Sequence, residues 1–105
     1  MSELDFALDG LYAAGWWPTQ SDPCLQSPDL RWYPCPDTIR DCFARAGIDL
    51  VVRTRINDRH VTLSWVIPGH GREAVTAQTH DSAYVLAFTH LYQQSKRDER
   101  ALIGN

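Results

Sequence analysis

From residue 50 onward, polar and apolar side chains alternate. In Leu50–Ile56 one parity holds Leu50, Val52, Thr54 and Ile56, and the other holds Val51, Arg53 and Arg55. In His60–Ile67 the split is sharper: Val61, Leu63, Trp65 and Ile67 stand against His60, Thr62, Ser64 and Val66. Glu73–Thr79 repeats the pattern more weakly, with Val75 and Ala77 on the inner side. Side chains alternate across a strand, so this pattern predicts strands with one buried and one water-facing side. Asn57–Asp58 and Pro68–Gly69–His70–Gly71 supply the turns. Such short connections make the strands an antiparallel meander.

The rest of the chain reads as helix or loop. Leu4, Leu8, Leu11 and Tyr12 share one helical face, Ser2 offers an N-cap with Asp5 behind it, and Gly15 offers a stop. This predicts a helix over Ser2–Ala14. A second helix, Pro36–Ala46, opens on a proline, repeats Ile39, Cys42, Phe43 and Ala46 on one face, and ends at Gly47. After the strands, Ala83, Tyr84, Ala87, Phe88 and Leu91 form a wide apolar stripe on a helix that Thr79 or Asp81 caps. Its small Ala83 and Ala87 allow close approach to the sheet. It is expected to run to Gln94 and fade at Ser95–Lys96–Arg97. Lys96, Arg97 and Arg100 suit the negative end of its dipole, and Ala101–Asn105 is expected to fray.

Between the first two helices, Trp16–Pro36 holds five prolines, at 18, 23, 28, 34 and 36. Irregular structure is expected there. The same stretch carries Trp16, Trp17, Trp32 and Tyr33. These aromatics either staple a loop onto the core or form a docking surface, since Trp and Tyr dominate interface hot spots. The expected fold class is α+β. A three-stranded antiparallel sheet carries helices on one face, in two layers, with an extra N-terminal helix. One domain covers 1–105: a helix at 2–14, a Trp- and Pro-rich loop at 16–36, and a helix–strands–helix unit at 37–95.

Composition narrows the function classes. The chain has 105 residues and a net charge of −3. A protein that depends on phosphate contacts usually carries a basic excess, so this balance disfavours nucleic acid. Met1–Gly10 holds Glu3, Asp5 and Asp9 and no basic residue, against a secretory signal peptide. No apolar stretch has the length of a membrane span. A cytoplasmic protein without membrane contact is expected. The cysteines, Cys24, Cys35 and Cys42, are odd in number and lack a CxxC pair. Reduced structural thiols are the expectation, with Cys24–Cys35 or Cys35–Cys42 as the only plausible bridges.

Helix, three-stranded meander, helix is also the element order of the double-stranded RNA-binding domain, which Pro36–Tyr92 resembles. The local match is Thr79-His80-Asp81-Ser82-Ala83, where that family carries a capping serine, two lysines, a variable residue and alanine. The chain also resembles small alpha-beta-alpha sandwich domains encoded by phages, through Gly15–Trp16 after an opening helix and the alanine-rich last helix. Where the RNA-binding family presents lysines to phosphates, this chain has His80, Asp81 and, a turn later, Tyr84. The loop between the first two strands is shortened to about Asn57–Arg59, and arginines and carboxylates balance from Asp37 to Gln94. Little double-stranded RNA binding is therefore expected.

Candidate chemistry is sparse. Arg53, Arg55 and Arg59 cluster on one strand face and its turn, either as a solvated edge or as contacts to an acidic partner or nucleic-acid backbone. A single-strand binder would interleave aromatics on that face, and Trp65 has the wrong parity. His60, His70, His80 and His90 fall on different elements, unlike the close ligand pairs of zinc sites. Asp58 beside His60 reads as a turn-capping aspartate. No phosphate loop, Gly-x-Ser-x-Gly or His-Glu-x-x-His motif occurs. The expectation is a non-catalytic interaction module without cofactor or metal. Its contact surface is Trp16, Trp17, Trp32 and Tyr33, and its partner another protein or a second copy. The alternative is a nucleic-acid binder using Arg53, Arg55 and Arg59.

Overall fold

The computed structural model describes residues 3–18, 24–55, 59–67, 69 and 71–103, the last nine of these by backbone alone. In chain order they form α1 (Glu3–Ala13), β1 (Cys24–Gln26), β2 (Trp32–Pro34), α2 (Pro36–Arg45), β3 (Leu50–Arg55), β4 (His60–Ile67), β5 (Gly71–Ala77) and α3 (His80–Ile103). The Ser2 cap, the Asn57–Asp58 turn with Asp58 beside His60, and Pro68 and His70 lie outside the described residues. So do Ile56 and the stretch 19–23.

The fold is α+β, as expected. β3, β4 and β5 form one antiparallel sheet in that order, with Val52 opposite Leu63 and Leu63 opposite Val75. Val61, Leu63, Trp65 and Ile67 are all buried, so the predicted parity holds. β5 begins at Gly71, paired with Ile67, two residues before the expected start. It also ends earlier, because the next backbone groups have other partners. The Gln78 N–H is held by both oxygens of Glu3 at 2.9 Å. Thr79 turns away to cap α3: its Oγ1 accepts from the Ser82 N–H at 3.2 Å. That settles the choice between Thr79 and Asp81.

Each of the first two helices ends on a glycine with positive φ. Gly15 has φ 99°, and the Trp16 N–H reaches back to the Leu11 carbonyl at 3.3 Å. Gly47 has φ 74°, with Ile48 bonded to Phe43 at 3.0 Å. A side chain would crowd the backbone in that conformation, and the reach-back bond satisfies a carbonyl left open by the helix end.

α3 is the centre of the packing. Ser82, Ala83, Tyr84 and Val85 are buried in succession, so the helix is enclosed on several sides rather than along one stripe. The sheet covers one side, α2 another and α1 a third. α1 runs parallel to α3: Glu3 meets Gln78 near the start, and Tyr92 Oη donates to the Gly15 carbonyl at 3.2 Å near the end. α3 does not fade at Ser95–Lys96–Arg97; it continues to Ile103. Residues 93–103 are mostly strong helix formers with no proline or glycine among them. At 24 residues the helix is about 36 Å long.

The expectation of an irregular 16–36 stretch needs correction. β1 and β2 pair as an antiparallel hairpin, with Leu25 opposite Tyr33 and Gln26 opposite Trp32. Two of the prolines fall where a hairpin accepts them. Pro28 takes the second position of a turn closed by the Leu30 N–H on the Ser27 carbonyl at 2.9 Å, and Pro34 ends β2.

Candidate functional site

The four aromatics singled out in the sequence part company in the structure. Tyr33 is 4% exposed and buried in the core, which removes it from any contact surface. Its hydroxyl donates to Asp81 Oδ2 at 2.7 Å, and burial, followed by that carboxylate, raises its pKa. Trp16 is half-buried, edge-on to Phe88 of α3 with ring centres 6.4 Å apart. Trp17 and Trp32 stay outside, 76% and 46% exposed.

Tyr12 links the two exposed tryptophans. Its ring lies 5.6 Å from that of Trp16 and 6.3 Å from that of Trp17, both edge-on. Its hydroxyl donates to the Trp32 carbonyl at 2.6 Å. Burial pushes the Tyr12 hydroxyl pKa up, while the neighbouring Arg31 pulls the other way.

Arg31 pins the hairpin to α1. Its guanidinium lies 2.6 Å from Asp9, 2.8 Å from Asp29 and 3.6 Å from Asp5, donates to the Asp5 carbonyl, and sits 5.9 Å from the centre of the Tyr12 ring. The hydrogen bond that Arg31 donates to Asp9 leads in raising the Arg31 pKa. Asp29 is held below the ordinary carboxylate range, first by the Ser27 hydroxyl and then by Arg31. One guanidinium therefore faces three carboxylates, and the surface around the two tryptophans keeps an acidic excess. Phe6, Leu25 and Leu30 are also exposed in α1 and the hairpin.

Sequence reading missed Tyr12, Arg31, Phe6 and Leu30 as parts of this surface. Phe6 had a readable signal, since it lies off the Leu4–Leu8–Leu11 face. Arg31 had none, because the α1 residues it grips, Asp5 and Asp9, lie 26 and 22 positions away in the chain.

The arginines of the alternative site stand elsewhere. Arg53 and Arg55 lie on the outer side of the sheet, which no helix covers, and with His60, Thr62 and Thr76 they line a shallow concavity of about 370 Å³. Arg59 is exposed in the turn before β4, with φ 51°. The described outer face holds small and aliphatic residues beside these cations and no Trp, Tyr or Phe.

His60, His80 and His90 are dispersed. His90 Nδ1 lies 3.3 Å from Glu73 and its ring is 5.8 Å from Trp65. Among the described residues no group of three or more His, Cys, Asp or Glu side chains is placed to hold a metal ion. Cys24, Cys35 and Cys42 form no disulfide and are partly buried. No helix of the described residues is long and apolar enough to cross a membrane.

This is a small α+β domain whose helical side carries an aromatic, acidic surface and whose sheet side carries a basic one. No family model, curated protein or solved structure matches the chain.

Proposed function

We propose that the chain is a non-catalytic protein-interaction module whose contact surface centres on Trp17 and Trp32. The observation that carries this reading is their placement. Both are large, exposed aromatics beside one partly buried residue, Tyr12, which packs edge-on to the Trp17 ring and holds the backbone of Trp32. A tryptophan held in place loses little conformational freedom on binding, which is what makes a hot spot effective. The partner is a protein, and the surrounding carboxylates favour one with basic residues near its apolar contact. Trp16 supports this surface from below, and Tyr33 fixes the hairpin from the core side.

Nucleic-acid binding through Arg53, Arg55 and Arg59 is the weaker reading. The described sheet face offers cations but no Trp, Tyr or Phe on which bases could stack. Asp81 stands where the resembling RNA-binding family places a lysine, and it accepts from Tyr33 instead of facing outward as a cation.

The test pairs binding with stability. Trp17→Ala and Trp32→Ala should abolish capture of a protein partner from the native host while leaving the melting temperature in place. A large fall in melting temperature, or capture unchanged in both variants, would end the reading.

A further inference from the structure

We infer that the open edge of β3 pairs with the same edge of a second copy of this chain, joining two sheets into one. β3 is an outer strand, and among the described residues no strand occupies its other side. Beyond Leu50 it is exposed on both faces. Val51 is 47% exposed on the outer side. Val52 is 37% exposed although it shares the inner side with the buried Leu63 opposite it. An unpaired, apolar-bearing edge is a template for strand addition.

Charge and strand overlap together select the copy and the register. About a two-fold axis perpendicular to the sheet, a strand meets its copy antiparallel, and opposed side chains share a face. The pair must then centre on a single residue. Centred on Arg53, two guanidinium groups oppose each other. Centred on Thr54, Arg53 opposes Arg55 twice. Centred on Val51, Asp49 opposes Arg53, but Arg55 overhangs the turn at Gly47 and is left without a strand neighbour. Centred on Val52, every position finds a compatible neighbour. Val52 meets Val52 of the second copy, Leu50 meets its Thr54, Val51 meets its Arg53, and Asp49 meets its Arg55. The last pair occurs twice.

Asp49 and Val51 line one hollow of the outer face, and Arg53 and Arg55 line the next, so the opposed charges stand on the same side. Directly opposed unlike charges attract across strands and like charges repel. The β5 edge lacks this match, since centring on Ala74 would set Arg72 against Thr76 and Glu73 against Val75.

Sedimentation of the purified full chain over a range of concentrations tests the pairing. A reversible dimer is expected. Asp49→Arg and Arg55→Asp should each raise the dissociation constant at least about tenfold, because each places like charges at two symmetric positions. The double variant should return to within about threefold of the parent, because the swapped charges oppose each other again. Val52→Lys should break the dimer independently of the charge pair. Circular dichroism should show all four variants folded, since every altered side chain is exposed or is the outermost in the sheet. Monomer throughout up to about 1 mM overturns the proposal. So does a dimer indifferent to both single reversals, a double variant no tighter than the singles, or a dimer that Trp17→Ala dissolves while Val52→Lys spares it.

Discussion

The Tyr33 hydroxyl donates to the Asp81 carboxylate across 2.7 Å, tying the β1–β2 hairpin to the first turn of α3. The two residues are 48 positions apart in the chain. Asp81 near the positive end of a helix dipole is well placed as an acceptor. The bond explains how a stretch crowded with prolines comes to hold a fixed position on the core.

That bond sets an alkaline limit. An unfolded tyrosine ionises near pH 10.0, and burial raises the Tyr33 pKa above that in the fold. The folded chain therefore keeps a proton that the unfolded chain loses. The contribution is fully present below pH 10.0 and is lost as pH rises toward the folded value. Tyr33→Phe should cost about 1 kcal/mol at neutral pH and flatten the decline above pH 10. Urea midpoints measured from pH 7 to about 11 check this; an unchanged alkaline slope would contradict the assignment.

Arg31→Ala should loosen the hairpin. It removes the bonds to Asp5, Asp9 and Asp29 and the contact over Tyr12 together. The expected cost is about 1–2 kcal/mol, with faster amide exchange at residues 24–34. Exchange unchanged across the hairpin would show that Arg31 is not its anchor.

Acid should loosen the same joint. The Asp29 pKa is lowered in the fold from 3.8, through Ser27 first, so its contribution is present above that pH. It is lost as pH falls through the lower folded value. Hairpin exchange rates in parent and Asp29→Asn should diverge above pH 3.8 and converge well below it.

Neighbouring tryptophans should behave oppositely. Trp16→Ala removes a ring that packs on Phe88 and Tyr12 and should cost about 2–4 kcal/mol. Trp17→Ala removes a mostly exposed ring and should stay within about 0.5 kcal/mol. Chemical denaturation of the two variants side by side decides the point.

Thr79→Ala should cost about 1 kcal/mol by leaving the Ser82 N–H without its cap, and Thr79→Ser should restore it. Equal loss in both variants would assign the effect to the methyl group instead.

The alternation from Leu50 to Ala77 was enough to give strand existence, parity and antiparallel order, because those depend on side chains facing alternate ways along the chain itself. Helix starts and stops at Pro36, Gly15 and Gly47 were legible for the same local reason. The burial of Tyr33 and the outward placement of Trp17 and Trp32 were not. Two of them depend on a partner distant in sequence: Tyr33 on Asp81, and the backbone of Trp32 on Tyr12. The proline-rich stretch misled because proline content signals broken structure, while proline position permits a hairpin.

The sequence by itself determined which segments become strand or helix and which side of the sheet repels water, because neighbours along the backbone suffice for that. Only the tertiary structure decided which aromatics of the Trp- and Pro-rich stretch are buried and which edge of the sheet stays bare. Those outcomes follow from how helices of fixed length cover a sheet, and no local pattern encodes that geometry.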